Sequence, residues 1–389
     1  MKVVIVGGGF GGVRMALSLA NKKNLSVRLI SNQPYFEYHA ALYRSATGRS
    51  PLEVAILLKE FFGYAKNVEV VEDTVVDIDN KSKHVTGESG SRYEYDTVVF
   101  ALGSVTQYYG IKGLTKYAYS IKTIQEALKL KRTLHQQLLD DQPEQNYVVV
   151  GAGASGVELA AELTSYLKRI RKKHRITKKF RVELVEAGPR AVAAMPESFS
   201  TAVEKRLKKL GVKTMYKTAV KAETIDSIQL TKGPLRSHTV IWTAGVANNP
   251  FYSQFPKLFA TTPAGRVVVD AQLQAAPNIF VIGDSAQTQY SGLAQTALHD
   301  ASFVGSNLVR SVKGKPPRVY EPKRPVYASP VGPRWAAVLW GRVQINGRLG
   351  WLLRRLADLR LYLAFLPPAK ALAVWRYGHK DEEICPICK

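Results

Sequence analysis

VVIVGGGFGG, from Val3 to Gly12, is the stretch whose reading decides the fold. A short apolar run leads straight into glycines, and Gly7, Gly9 and Gly12 stand at the G-x-G-x-x-G spacing. Phe10 and Gly11 lie inside the turn, and an amphipathic segment, Val13 to Lys22, follows. The order predicts a strand, a tight turn and a helix start. In such a turn the first glycine permits the bend, the second lets a pyrophosphate approach the backbone, and the third lets helix pack on strand. The helix N-terminus then offers free N–H groups and partial positive charge to phosphates. A lone spacing of this kind is weak, because glycine clusters also punctuate ordinary turns. Here the strand before it and the helix after it point to a bound dinucleotide.

The pattern recurs. Tyr147 to Gly156 reads YVVVGAGASG, with Gly151, Gly153, Ser155 and Gly156 in the turn. The helix expected over Val157 to Ile170 carries Glu158 and Glu162 one turn apart, hence on one face. The next strand, Val182 to Val185, ends on Glu186. A carboxylate at that place accepts from a free ribose 2′-hydroxyl and repels a 2′-phosphate, so the second site should prefer NAD to NADP. Gly156 to Glu186 is longer than the usual span of about 20 residues. The basic block Lys168 to Lys179 (KRIRKKHRITKK) accounts for the excess as a helix end and solvated loop. The first copy departs at the same point. Its second strand, Ser26 to Ile30, runs into Ser31 and Asn32, and the nearest acid, Glu37, lies beyond Pro34.

Two such units imply a protein of two dinucleotides, one a flavin and one a nicotinamide, with FAD assigned to the N-terminal copy. Further strand ends collect where ligands of α/β sheets gather. Tyr95 to Gly103 places Ala101 and Gly103 at a carboxyl end, and Thr239 to Ala244 ends at Gly245. Ala276 to Ala286 carries Gly283-Asp284, a carboxylate at a strand tip suited to a ribityl chain. The helix expected over Gly292 to Val309 could aim its N-terminus at a flavin ring, where its dipole favours negative charge. The fold class expected is α/β: two Rossmann-like domains, the NAD domain inserted in the FAD domain. The boundaries expected are 1–110 and 256–325 for the FAD domain, 111–255 for the NADH domain and 326–389 for a C-terminal region.

Composition bounds the rest. The 389 residues suit about two to three domains. Met1-Lys2 runs into the first strand without an apolar h-region, so no secretory signal is expected. No run reaches the about 18 apolar residues that read as a membrane span. The two cysteines, Cys385 and Cys388, fall in the last five residues, which excludes a disulfide framework and any core thiol that carries electrons. The tail pair supplies at most half of a zinc site, so no metal is expected. The net charge of +24 attracts polyanions, whether nucleic acid, nucleotides or an anionic membrane surface. Arg318 to Pro333, rich in proline and basic residues, reads as a linker. Beyond it, Trp351 to Leu366 (WLLRRLADLRLYLAFL) sets leucines near helical spacing with Arg354, Arg355 and Arg360 between them. Such a helix can lie in the headgroup layer; it can equally pack on the protein's own core or form a dimer face.

Taken together, these motifs resemble the type II NADH dehydrogenases, single-subunit NADH:quinone oxidoreductases of the two-dinucleotide flavoprotein superfamily. The resemblance runs from Val3 to about Asn307. It rests on GGGFGG, Phe100 to Gly103, GAGASGVELAAEL from Gly151, VEAGPR from Val185, VIWTAGV from Val240, VIGD from Val281 and AQTA from Ala294. Disulfide reductases, sulfide:quinone oxidoreductases and single-cysteine NADH oxidases need a core thiol that this chain lacks.

The resemblance implies that Gly7, Gly9, Phe10, Gly11, Gly12, Ser31, Asn32, Val75, Ala101, Gly103, Gly283, Asp284 and Ala294 hold FAD, with Val75 backing the adenine. It implies that Gly151, Gly153, Ser155, Gly156, Glu158, Glu186, Ala244 and Gly245 hold NADH. Glu162 and Gln295 take the catalytic positions near the flavin and quinone. A quinone acceptor, an anionic membrane surface met by the C-terminal helices, a peripheral place on the cytoplasmic face and no nucleic-acid partner are expected; homodimerisation is compatible. Three positions depart from the family pattern: Ser31 for the acidic ribose ligand, Ala40 for a proline, and Asp300, beside His299, for the last glutamine of the quinone motif. The rival readings are a soluble NADH:acceptor flavoreductase that uses a carrier protein or oxygen, and a non-enzymatic NADH-sensing flavoprotein.

Overall fold

The computed structural model describes residues 1–139 and 144–382. They fall into two compact units. One comprises Met1–Tyr38, Ala55–Val105 and Ala247–Pro325; the other comprises His39–Val54, Thr106–Val246 and Val326–Lys389. Cys385 and Cys388 lie outside the described residues.

The first unit is built on a six-stranded sheet. Its order is Gln274–Ala276, Ile279–Val281, Thr97–Phe100, Lys2–Val6, Ser26–Ser31 and Val68–Glu72. All neighbours are parallel except the edge strand Gln274–Ala276. Thr97–Phe100 is wholly buried, and Lys2–Val6 is buried after its first residue. Such continuous apolar strands are what a sheet covered on both faces requires. One face packs Val4, Val6, Ile30, Phe100, Phe251 and Phe259 into a single cluster. The helix Phe10–Leu19 buries Val13, Met15, Ala16 and Leu19.

The second unit repeats the plan with four parallel strands in the order Val212–Met215, Arg181–Val185, Asn146–Val150 and Thr239–Trp242. Its long helix, Ala154–Lys173, is buried along most of its first four turns. The basic block then runs out of that helix as exposed residues, in line with the solvated reading. Two doubly wound α/β folds are therefore present.

Several elements differ from expectation. Each unit carries small antiparallel sheets that the strand-helix reading did not separate. One is Val75–Asp79, His84–Gly87 and Arg92–Glu94; another is Val220–Glu223, Ser227–Leu230 and Gly233–Arg236. The expected linker holds a strand, Tyr327–Pro330, which pairs with Ala336–Trp340 and, through it, Val343–Gly347. Two C-terminal helices follow, Arg348–Phe365 and Pro368–Tyr377. Among the described residues no helix is long and apolar enough to cross a membrane.

Candidate functional site

In the first unit the glycines of the opening turn divide by role. Gly7 has φ +113°, and a Cβ there would lie 2.4 Å from the Ala101 carbonyl oxygen. A Cβ on Gly12 would lie 1.8 Å from the Gly7 carbonyl oxygen. Both positions are closed to a side chain by backbone alone. Gly9 is different: a Cβ there meets nothing within 4 Å. Packing gives no reason for that glycine, whereas close approach by a ligand does. It is also the N-cap of Phe10–Leu19, so the free N–H groups of the first turn open onto the same space.

The second unit reproduces the division. A Cβ on Gly151, at φ +100°, would stand 2.6 Å from Ala244 Cα, and one on Gly156 would stand 1.8 Å from the Gly151 carbonyl oxygen. Gly153 again has nothing within 4 Å. Both cradles thus fit a pyrophosphate by the same test. Glu186 sits at the second cradle, where its carboxylate accepts from the backbone N–H of Ala152 and of Gly188, each at 2.6 Å. Ser155 is exposed on the first turn of the helix, and Ala244 is exposed at the end of its strand. The Gly245 carbonyl accepts from the Gln107 N–H at 3.1 Å.

Ser31 ends its strand in the first unit and is buried. A Cβ on Gly8 would come within 2.5 Å of Ser31 Oγ, so the serine hydroxyl lies against the glycine turn. Asn32, next in line, is exposed. Glu37 lies in the short strand Tyr35–Glu37 rather than in a loop, and it is buried. Phe10 packs edge-on against Phe36 and Tyr38, with ring centroids 5.1 Å and 5.6 Å apart. Gly11 faces Ile282 and Ala101. Val75 is buried in the core cluster with Ile30 and Phe100.

The expected strand tips meet. Ser104 Oγ donates to Asp284 Oδ2 at 3.2 Å, and Ser285 Oγ donates to the Gly103 carbonyl at 2.8 Å. Gly103 and Gly283 both have positive φ, +65° and +74°. Asp300 completes this corner. It is fully buried, and its carboxylate accepts from the Gly283 N–H at 3.0 Å and from Tyr320 O–H at 2.6 Å. Burial pushes its pKa up, and the Tyr320 hydrogen bond opposes that. The residue that breaks the expected quinone motif therefore pins the Gly283-Asp284 turn. Ala294 and Gln295 open the helix Ala294–Val312, with Gln295 exposed.

In the second unit Glu158 and Glu162 are both buried on one face of Ala154–Lys173. Burial pushes the Glu158 carboxyl up to about 8, against the pull of Arg354 and Arg44. Glu162 has Arg49 3.9 Å away. Sequence reasoning missed the charge cluster behind them. Arg44 pairs with Glu53 at 2.7 Å and with Asp358 at 3.1 Å; Arg355 pairs with Glu53 at 2.8 Å; Arg354 binds Asp358 one turn along its helix. Arg354 and Arg355 therefore turn inward, while Arg360 is exposed. The i,i+4 placing of Arg354 and Asp358 was the available signal. Glu53, some 300 positions earlier, gave none. Around this cluster lies a cavity of about 680 Å³, lined by Tyr43, Arg49, Glu162, Arg334, Trp351 and His379 among others.

Comparison with known proteins agrees with this geometry. The model of the pyridine nucleotide-disulphide oxidoreductase family matches residues 1–301. The type II NADH:quinone oxidoreductase Ndh of Mycobacterium tuberculosis is 28% identical, covering 96% of this chain and 87% of that protein. The type II NADH:quinone oxidoreductase of Staphylococcus saprophyticus is 24% identical, covering 92% and 94%. Among solved structures, NDH2 from Plasmodium falciparum in complex with NADH superposes with a TM-score of 0.87 at 17% identity, covering 97% of each chain. The resemblance read from the motifs is borne out. The chain belongs to the pyridine nucleotide-disulphide oxidoreductase family, with FAD and NADH as its cofactors.

Proposed function

We propose that this protein takes hydride from NADH and passes electrons to a membrane quinone, without pumping protons, from a peripheral position on the cytoplasmic face. The observation that carries the reading is the pair of open glycine cradles in a body without a cysteine. FAD, when bound, supplies the hydride-accepting and electron-donating chemistry. Around Gly9, backbone N–H groups of the helix Phe10–Leu19 hold its pyrophosphate. Asp284, kept in place by Ser104, bonds its ribityl chain, and Ser31 replaces the carboxylate of the usual ribose contact. Around Gly153, the same device holds the NADH pyrophosphate. Glu186 accepts from the ribose hydroxyls, and its negative charge disfavours a 2′-phosphate. Glu162 lines the arginine cavity of the second unit, and Gln295 is exposed at a helix N-terminus of the first; these two take the catalytic roles toward the acceptor. No thiol is needed in this scheme.

Membrane association is supported by the helix Arg348–Phe365. Leu349, Leu352, Leu356 and Leu363 are 46% to 58% exposed and fall at spacings of three, four and seven, so they share one face. Unpartnered leucines on a chain of +24 charge suit an anionic bilayer surface. The test is a steady-state assay with purified holoprotein under anaerobic conditions. NADH consumption that depends on an added ubiquinone or menaquinone analogue supports the reading; NADH consumption indifferent to either sinks it.

A further inference from the structure

The segment after the helix Ala294–Val312 has a detail that a linker does not need. Every residue from Lys313 to Arg324 is exposed except Tyr320. The segment is tied to that helix along its length. Arg310 Nε donates to the Pro316 carbonyl at 2.8 Å. The Asn307 side-chain amide clasps Arg318, donating to its carbonyl and accepting from its N–H, each at 3.0 Å. His299 Nε2 lies 2.8 Å from the Glu321 carbonyl oxygen. Tyr320 donates its own N–H to the Ala271 carbonyl at 2.8 Å. Its ring packs against His299 and Phe303, with centroids 5.4 Å and 5.2 Å away. All of these residues belong to the first unit.

What the inward-turned ring delivers is one hydroxyl. It donates to Asp300 Oδ1 at 2.6 Å, while the Gly283 N–H donates to Oδ2 at 3.0 Å. Both oxygens thus accept, which is the arrangement of a carboxylate rather than of a carboxylic acid. Burial and the Asp300 carboxyl push the Tyr320 hydroxyl far above its ordinary range, so the tyrosine keeps its proton and stays the donor. Burial pushes Asp300 up; the bonds from Tyr320 and Gly283 and the nearby His299 pull it back, and Asp284 adds to the rise. A fully buried charge is therefore sustained by a tyrosine that arrives from an otherwise exposed segment.

That charge stands at a particular turn. Gly283 is followed by Asp284, whose carboxylate accepts from Ser104 Oγ at 3.2 Å. Through the one peptide N–H of Gly283, Asp300 fixes the residue assigned to the ribityl chain of FAD. It also brings a second negative charge to the same corner. In the protein interior a charge acts over several ångströms with far less screening than in water. Reduction adds electrons to the flavin, so a fixed negative charge near it opposes that step.

We propose that Tyr320 and Asp300 are positioning residues of the flavin site: together they set the Gly283–Asp284 turn for FAD and keep at that turn a negative charge that favours the oxidised flavin. The inference rests on the reading that Asp284 contacts FAD. It goes beyond that reading in giving a role to a residue of the exposed segment and in naming a control on how readily the flavin takes electrons.

The experiment uses the full-length protein, deflavinated for FAD titration by fluorescence and reconstituted for the flavin midpoint potential, read against indicator dyes across the pH range in which the protein is folded. Tyr320→Phe keeps the ring and removes the hydroxyl. It should weaken FAD by about tenfold. It should also move the ionisation of Asp300 to higher pH by about one pH unit. Within that interval the potential of the variant lies above that of the wild type, and at higher pH the two meet. A difference of the same size at every pH would show a structural role only and overturns the proposal, as does no difference at all. Asp300→Asn keeps the shape and removes the charge. At high pH its potential should exceed the wild type's by about tenfold in the ratio of affinities for oxidised and reduced flavin, or about 30 mV for a two-electron couple; the two converge as the pH falls. If melting of the apoprotein shows that Asp300→Asn does not fold, Tyr320→Phe alone decides. Asp284→Ala separates the failures. Unchanged FAD affinity in that variant refutes the Asp284 contact and this inference with it. A loss there, with Tyr320→Phe and Asp300→Asn both matching the wild type in affinity and potential, refutes this inference alone.

Discussion

Gly9→Ala separates binding from folding. Gly9 has φ −82° and ψ −164°, which alanine adopts without strain, and its Cβ would meet no protein atom within 4 Å. The folded apoprotein should therefore lose nothing. It should gain about 0.4–1 kcal/mol from the reduced freedom of its unfolded chain. A bound pyrophosphate at van der Waals distance of the backbone changes the sign. A methyl group forced against it costs about 1–3 kcal/mol, the usual range for overpacking. That is about a five- to 150-fold loss of FAD affinity. The control is Gly12→Ala, whose Cβ would stand 1.8 Å from the Gly7 carbonyl oxygen and should unfold the turn with or without cofactor. The assay titrates FAD into deflavinated full-length protein by fluorescence and follows melting of the apoprotein by circular dichroism. Unchanged FAD affinity in Gly9→Ala would refute the placement of the pyrophosphate; a lower melting temperature of its apoprotein would refute the packing argument.

Glu186→Gln removes the charge but keeps the hydrogen-bonding shape, so the ratio of kcat/KM for NADPH over NADH should rise by about tenfold, and comparable wild-type rates with both nucleotides would contradict the role given to Glu186. Glu158 predicts a pH dependence. Its carboxyl rises to about 8 from the usual 4.5, so between those values the folded chain holds a proton that the unfolded chain has lost. The stability it contributes is complete below about pH 4.5 and is lost as pH climbs to about 8. Glu158→Gln should abolish that loss, gaining a few kcal/mol on the wild type by about pH 8; parallel denaturation curves for the two proteins across that range would show the carboxyl is not buried. Glu53→Gln leaves Arg44 and Arg355 underpaired in the interior and should cost about 3–5 kcal/mol in urea unfolding, whereas a cost under about 1 kcal/mol would mean the pair is solvated.

Both dinucleotide folds were legible because each repeats local signals: an apolar strand, three glycines and an amphipathic helix. Backbone contact at Gly7, Gly12, Gly151 and Gly156 explains why those signals are strict. The length of the second copy was also legible, since Lys168 to Lys179 leaves the helix as an exposed basic end. What sequence did not show is long-range. Arg354 and Arg355 look like the polar face of an amphipathic helix until Glu53 and Arg44 come to meet them. Nothing local marks Glu53 as buried. Asp300 read as a disturbed quinone motif, yet its carboxylate finds the Gly283 N–H and Tyr320 O–H, partners 17 and 20 positions away. Ser31 read as a missing ribose ligand; the structure places its hydroxyl against the glycine turn. The small antiparallel sheets escaped because most of their strands are only three or four residues long, too short for a period to stand out.

The central claim is a two-step transfer from NADH to a quinone, and one anaerobic spectrum tests it most directly. Flavin absorbance of the purified holoprotein is recorded, a stoichiometric amount of NADH is added, and then a stoichiometric amount of a menaquinone or ubiquinone analogue. The account predicts bleaching on the first addition and full return of the flavin spectrum on the second. Bleaching that no quinone reverses, or a flavin that NADH never bleaches, would contradict it.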